Sequence, residues 1–253
     1  MTGDDHALAR DLAGQAGRRL TGLRAQGGDP DVLRKAGDRL SHEFLVAALA
    51  DRRPGDVVLS EEGADDPARL GARRVWIVDP LDGTREFGEP GRTDWAVHVA
   101  LWESGPGDLT AGAVALPAQD TVLSTLEPPP GPGPAPATAP LRIVVSRSRP
   151  PSFVRNISGL LSAELVPLGS AGAKVAAVIR GEVDAYVHGG GFYEWDTAAP
   201  VAVARAAGFH ASRIDGSALA YNQADLLMPD ILVCRPAVAG SLLQAIREVT
   251  HAP

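Results

Sequence analysis

A single cysteine, Cys234, stands among the 253 residues, so no internal disulfide can form and a reducing compartment is implied. It follows Ile231, Leu232 and Val233 in a strand-like run, where a thiol reads as a packing group rather than a nucleophile. No apolar run approaches the ~18 residues that a membrane-spanning helix requires. The opening MTGDDH has neither the basic nor the apolar region of a secretory signal, so a cytoplasmic location is expected. Positive charge is scarce as well. A formal net charge of −7 argues against a nucleic-acid surface, which depends on clustered cations on phosphates. A small anionic substrate stays compatible with it, because bound divalent cations reverse the local field. Lysine is nearly absent: Lys35 and Lys174 stand against 22 arginines. That bias reads as a compositional habit, yet it singles out Lys174.

What is present suffices for a sizeable core: 45% of the residues are hydrophobic and 22% charged, enough for one large domain or two small ones. The clearest break is EPPPGPGPAPATAP at 127–140, too proline-rich for helix or central strand. It divides an N-terminal subdomain, 1–126, from a C-terminal one, 141–253. Leu and Ala at helical spacing predict helices over 5–26 and 31–51. Short strands are predicted at 56–59 and 75–79, then an antiparallel meander through 95–102, 110–116 and 121–126. Beyond the break, strands at 141–146, 164–168, 183–187, 209–214 and 230–234 alternate with helices near 151–162, 172–180, 196–207 and 237–249.

The most informative segment is WIVDPLDGTREF at 76–87. An apolar strand runs there into two carboxylates, Asp79 and Asp82, with Gly83 and Thr84 directly after. Pro80 forbids helix at Asp79 and fixes its own φ, so the two acids are expected to leave the strand end on a stiff turn. Gly83 and Thr84 should open a helix, whose free N–H groups favour an anion beside the acids. Hard oxygen donors at this density suit Mg²⁺ rather than zinc or copper. Four other segments carry chemistry with a plainer reading beside each. Glu61 and Glu62 follow the strand-like VVLS, where exposed acids are usually just solvated. Asp196 opens an Ala-rich helix and would serve there as a cap. The Gly-rich turn through Gly172, Ala173 and Lys174 enters a helix, as many turns in α/β proteins do. Ser146, Arg147, Ser148 and Arg149 end a strand, either for phosphate or as loop decoration. His98 and His210 read as ordinary strand residues.

DPLDGT at 79–84, preceded by SEE at 60–62 and followed by EWDTAA at 194–199, resembles the inositol monophosphatase superfamily of Mg²⁺-dependent, lithium-sensitive phosphatases. The TREF ending, the Ser146–Ser148 strand end and EWDTAA most resemble its 3'(2'),5'-bisphosphate nucleotidases of the CysQ type. Those remove the 3'-phosphate of adenosine 3',5'-bisphosphate, a by-product of sulfate assimilation. The resemblance implies metal ligands at Glu61, Asp79, the Leu81 carbonyl, Asp82 and Asp196, with Asp38 near a third, weakly held ion. Thr84 matches the threonine that helps activate water, and Gly83 and Thr84 offer donors to phosphate. Gly172, Ala173 and Lys174 match a turn contacting sugar or nucleotide. His188 stands where inositol-specific members have a carboxylate, which speaks against strict inositol specificity. The mobile Lys-x-Asp loop of the family has no clear counterpart at 27–34. The fold class implied is α/β, a layered αβαβα sandwich of the inositol monophosphatase and fructose-1,6-bisphosphatase type, its metals at the seam of the two halves.

Chemistry supplies the same logic. A phosphomonoester dianion repels a nucleophile, so hydrolysis needs cations on the phosphoryl oxygens, a deprotonated water in line and help for the leaving oxygen. Two Mg²⁺, or three, would supply these, with Glu61 assisting deprotonation and Asp79 bridging. The leading expectation is therefore a bisphosphate nucleotidase acting on a small phosphorylated substrate. The alternatives are an inositol monophosphatase or fructose-1,6-bisphosphatase, one promiscuous enzyme included, and, in another class, a phosphatase-like regulatory binding protein. No nucleic-acid or membrane partner is expected, and the chain is read as a monomer or homodimer.

Overall fold

The computed structural model describes residues 2–133 and 140–250, so residues 134–139 of the proline-rich segment lie outside the described residues. Two long helices come first, α1 (Thr2–Ala25) and α2 (Pro30–Arg52). Asp29 starts α2 by accepting the N–H groups of Asp31 and Val32, and Pro30 occupies the first turn, where its missing donor costs nothing. Leu33, Gly37, Ser41, Leu45 and Leu49 then recur every fourth residue on the one buried face of that helix.

Five strands follow: β1 (Val57–Ser60), β2 (Arg74–Asp82), β3 (Ala96–Glu103), β4 (Asp108–Leu116) and β5 (Thr121–Ser124), paired in that order. The meander β2 to β5 is antiparallel as its alternation predicts, but β1 runs parallel to β2. A four-residue apolar run carries no sign of its direction; the crossover through residues 61–73 reverses it. The short helix α3 (Thr84–Gly88) hangs from the end of β2.

The second sheet has the order β10-β12-β8-β6-β7, from β6 (Arg142–Ser146), β7 (Glu164–Leu168), β8 (Ala185–His188), β10 (His210–Ser212) and β12 (Ile231–Cys234). Its β6 is parallel to β7 and β8, whereas β12 is antiparallel to β8 and β10. A two-residue pairing of β9 (Phe192–Tyr193) with β11 (Leu227–Met228) is too short for any pattern to foretell. Helices α4 (Ser152–Leu161), α5 (Ala171–Ile179), α6 (Glu194–Ala206) and α7 (Pro236–Thr250) complete the chain.

Three apolar clusters order these elements into five layers. Leu8, Leu12, Leu20, Leu45 and Leu49 pack α1 and α2 onto one face of the first sheet, through Trp76, Val78 and Val99. The other face meets α5 and α6, whose Val175, Val178, Val201 and Val203 also touch Val144, Tyr186 and Val233 of the second sheet. The outer face of that sheet is closed by α4 and α7, through Val154, Ile157, Leu242 and Ile246. This is the αβαβα sandwich. All nine residues of α5 are buried, as a helix between two sheets must be. Each Leu or Val so removed from water contributes about 1.5–3 kcal/mol before entropy is counted. The central cluster draws on both sides of the proline-rich segment, and there β2 meets the N-termini of α5 and α6. No helix among the described residues is long and apolar enough to cross a membrane.

Candidate active site

Strand β2 does not stop before its two acids. It continues through Pro80 to Asp82, with Asp79 opposite His98 and Asp82 opposite Ala96, so one extra residue bulges from β2 between them. The expected turn after the strand is thus a bulge within it, because Asp82 still pairs with Ala96 of β3. The bulge puts both side chains on the same side, and Leu81 N–H donates to Asp79 Oδ1 at 3.0 Å. Carboxylate oxygens of Asp79, Asp82 and Asp196 lie within 4.8 Å of one another. Asp196 comes from the first turn of α6, where it also accepts the Tyr193 N–H at 2.7 Å. The acidic-cluster reading is thus realised and the cap reading is corrected: Tyr193 holds the N-cap position, because α6 begins at Glu194, and Asp196 is the third residue of the helix, reaching back to the N-cap N–H. Glu61 lies on the exposed loop after β1, yet its carboxyl is within hydrogen-bonding reach of Asp79.

Crowding sets the protonation of this group. Burial, followed by the charge of Asp196, raises Glu61 to about 7. Burial and then Asp82 raise Asp196 to about 6. Asp79, wholly buried beside Glu61, is pushed well above the usual carboxylate range. Oxygen-only donors that repel one another at this spacing fit a hard divalent cation such as Mg²⁺, which would relieve the repulsion.

Asp82 behaves differently. Burial alone would raise it, but His98, Lys174 and Ser170 hold it down to about 2. Its oxygens accept the Ser170 hydroxyl, Ala171 N–H at 3.1 Å and Gly172 N–H at 2.6 Å, so the N-terminus of α5 clasps a carboxylate of the protein itself. His98 donates from Nδ1 to the Trp195 carbonyl at 3.0 Å and holds Nε2 3.2 Å from Asp82, an ion-pair contact rather than an aligned hydrogen bond. A Cβ at Gly172 would stand 2.1 Å from that Nε2, so the ring and the glycine require each other. His98 is thus no ordinary strand residue. Its place opposite Asp79 is readable from strand pairing, but the approach of α5 is not.

A cavity of about 500 Å³ opens beside the cluster, lined by Asp82, Gly83, Thr84, Ser146, Lys174 and His188 among others. Thr84 Oγ1 lies 3.0 Å from the Leu81 carbonyl and 3.2 Å from Asp38 Oδ1. Burial, then Glu62, raises Asp38 to about 6. Lys174 is 5% exposed; its ammonium donates to the Gly169 carbonyl and stands 5.3 Å above the Tyr186 ring. Gly172 and Ala173 do not line this cavity: their N–H groups are taken by Asp82 and Ser170, the latter at 2.9 Å. Arg147 is likewise committed, to Glu86 at 2.7 Å and Glu89 at 2.9 Å. Residues that the motifs did not single out, Glu86, Ser170, Tyr186 and Phe192, also line the cavity.

Comparison with known proteins supplies independent findings. The inositol monophosphatase family model matches residues 7–251. A 3'-phosphoadenosine 5'-phosphate phosphatase of Mycobacterium leprae is 51% identical over 261 residues, covering 97% of this chain and 94% of that one. The 3'(2'),5'-bisphosphate nucleotidase CysQ of Escherichia coli is 31% identical, over 74% of this chain and 78% of that protein. The crystal structure of CysQ from Bacteroides thetaiotaomicron superposes with a TM-score of 0.78 at 29% identity, covering 92% of this chain and 97% of that one.

Proposed function

From the premise that this chain belongs to the inositol monophosphatase family, we propose that it is a Mg²⁺-dependent phosphomonoesterase that removes the 3'-phosphate of adenosine 3',5'-bisphosphate. The observation that carries the reading is the convergence of Asp79, Asp82 and Asp196 within 4.8 Å, with Asp82 and Asp196 in the wall of a cavity. The names of the M. leprae and E. coli relatives supply the substrate class. Glu61, Asp79, the Leu81 carbonyl, Asp82 and Asp196 would hold two cations, with Asp38 beside a third. When bound, such ions neutralise phosphoryl oxygens and favour deprotonation of water.

The chain's own groups do the rest. The Thr84 hydroxyl donates toward the Leu81 carbonyl or Asp38 Oδ1, which leaves its lone pairs to orient a water beside the start of α3. Glu61, whose carboxyl reaches the cluster from the loop after β1, would take the proton. Gly83 and Thr84 supply N–H donors at the start of α3, although five residues make this a weak dipole. Lys174 and Ser146 line the side where the sugar would lie. Attack by water predicts inversion at phosphorus and no phosphoenzyme. The two lobes, 1–126 and 141–253, would complete the site at their seam, with 127–140 as connector.

The test compares phosphate release from adenosine 3',5'-bisphosphate, inositol 1-phosphate and fructose 1,6-bisphosphate at one Mg²⁺ concentration. The nucleotide is expected to have the highest kcat/KM. Equal rates on all three would remove the specificity claimed, and activity undiminished by a chelator would remove the metal.

A further inference from the structure

The crossover between β1 and β2 carries Glu61 at its start and a single 3-10 turn, Pro67–Gly71, near its end. That turn holds Arg69, whose side chain is 1% exposed, a burial that an arginine tolerates only when fully paired. Its guanidinium makes four hydrogen bonds. Nε and Nη2 donate to Asp65 Oδ1 at 2.6 Å and Oδ2 at 3.2 Å, a two-pronged pair within the crossover. Nη1 donates to Asn222 Oδ1 and Nη2 to the Gln223 carbonyl, both at 2.8 Å. Asn222 answers with Nδ2 on the Arg69 carbonyl at 3.2 Å.

The far side of this link is the start of α6. Asn222 and Gln223 donate their backbone N–H groups to the two oxygens of Glu194, each at 2.7 Å. Glu194 is 1% exposed and opens α6, two residues before Asp196. A line of fixed partners thus runs from Asp65 through Arg69 and Asn222 to Glu194, with 153 positions of sequence between Arg69 and Asn222. Asp79 and Asp82 need no such device, because they share β2. Glu61 and Asp196 do need one, since they reach the acidic cluster from the crossover and from α6. The hold of β2 on the crossover at Glu61 is a long one, a 3.4 Å bond from its N–H to the Val78 carbonyl.

Resting on the cation reading of the acidic cluster given above, we propose that Arg69 is a positioning residue, which latches the crossover to the first turn of α6 and so sets the separation of Glu61 and Asp196 before a cation arrives. Arg69 does not line the cavity and acts only through the residues it holds. Arginine suits the task because its planar fork reaches a carboxylate, an amide and a carbonyl at once, which an ammonium does not. Ligands already held in place keep the entropy of ordering out of the binding step. Without the latch, only the molecules with both acids in place bind the ions well, and apparent affinity falls by that fraction. A latched population of about a tenth corresponds to about 10-fold weaker binding.

The experiment titrates Mg²⁺ into the full chain by calorimetry and records Tm, in the wild type and in Arg69→Lys, Asn222→Gly and Arg235→Lys. Asn222→Gly removes the side-chain amide where φ is 58°, a left-handed conformation that glycine adopts freely. Arg235→Lys is the control: it weakens another buried pair, with Asp184 at 3.0 Å, at the opposite end of β8 from His188. Arg69→Lys and Asn222→Gly should each weaken Mg²⁺ binding by about 10-fold, with kcat recovered at saturating Mg²⁺. Arg235→Lys should lower Tm and leave Mg²⁺ affinity unchanged. A folded Arg69→Lys or Asn222→Gly with unaltered Mg²⁺ affinity overturns the latch, and so does equal weakening in Arg235→Lys. Hydrogen exchange of the wild type needs no variant: amides of 61–66 and 221–226 should slow together on adding Mg²⁺, and slowing of one segment alone overturns the latch as well. Absence of Mg²⁺ binding by the wild type removes the cation reading itself, whereas failure of the latch leaves that reading standing.

Discussion

Asp79 and Asp82 stand three residues apart on one strand, both almost fully buried, yet the protein treats their charges in opposite ways. Around Asp82 the chain supplies two N–H groups, a hydroxyl, an imidazole and a nearby ammonium, and the carboxylate is held far below its usual range. Around Asp79 it supplies Leu81 N–H and then further acids, and the group is pushed upward. The donors keep Asp82 ionised before any ligand arrives, whereas Asp79 is left protonated among acids that a cation would relieve. Buried charge is tolerated where donors are fixed in place, and where they are not the fold holds protons that a bound metal would replace.

The largest effects come from neutralising each acid in turn. Asp79→Asn and Asp82→Asn are both expected to lower turnover by at least ~10³, since each removes charge from the site facing the phosphate. Their stabilities should diverge. Without metal at pH 8, Asp79→Asn relieves repulsion and should gain about 1 kcal/mol, a rise of about 2–4 °C in Tm. Asp82→Asn breaks bonds to a buried anion and should lose about 2 kcal/mol. Thermal unfolding of the two variants, side by side, reads the difference; shifts of the same sign would dissolve the contrast.

The pH dependence of the metal-free protein sharpens the same point. Glu61 rises to about 7, Asp38 and Asp196 to about 6, and Asp79 higher, against unfolded values near ~4. The folded chain then holds protons that the unfolded chain has released. The stability from these groups is complete below the unfolded values and is lost as pH rises through about 6 to 7. Asp82, at about 2, adds no slope in that window. Tm without metal should therefore fall between about pH 5 and pH 8, and Mg²⁺ should raise it more at pH 8. A metal-free Tm that climbs over this interval would contradict the assignment.

How much of this was readable beforehand follows the same division. The helices, the meander and the five-layer fold rest on local periodicity and on a motif, and both survive translation into three dimensions. The convergence of Asp79, Asp82 and Asp196 was legible through the family resemblance alone, since Asp196 read by itself was a helix cap. Non-local partners were not. Nothing in HVALW told that the imidazole of His98 would meet Asp82 and Trp195, because α5 and α6 arrive from the other half of the chain. The turn through Gly172 and Ala173 was matched to one that contacts sugar or nucleotide, but their N–H groups go to Asp82 and Ser170. Arg147 and Arg149 were equivalent in sequence, and only the nearby Glu86 and Glu89 separate them.

The smallest expected effect probes the clasp on Asp82 itself. Gly172→Ala places a Cβ 2.1 Å from His98 Nε2, so the ring or the helix N-terminus has to move. Overpacking of this kind costs about 1–3 kcal/mol. His98→Ala empties the space but leaves Asp82 without its imidazole, so it too destabilises. If the two residues form one fitted pair, adding Gly172→Ala to the His98→Ala background should cost little. The cycle would then show a coupling of about 1–2 kcal/mol, measured by denaturant unfolding. Additive losses would mean that Gly172 is kept for the backbone of α5 and not for His98. Asp82 would then owe its low titration to Ser170 and the helix N-terminus more than to the imidazole.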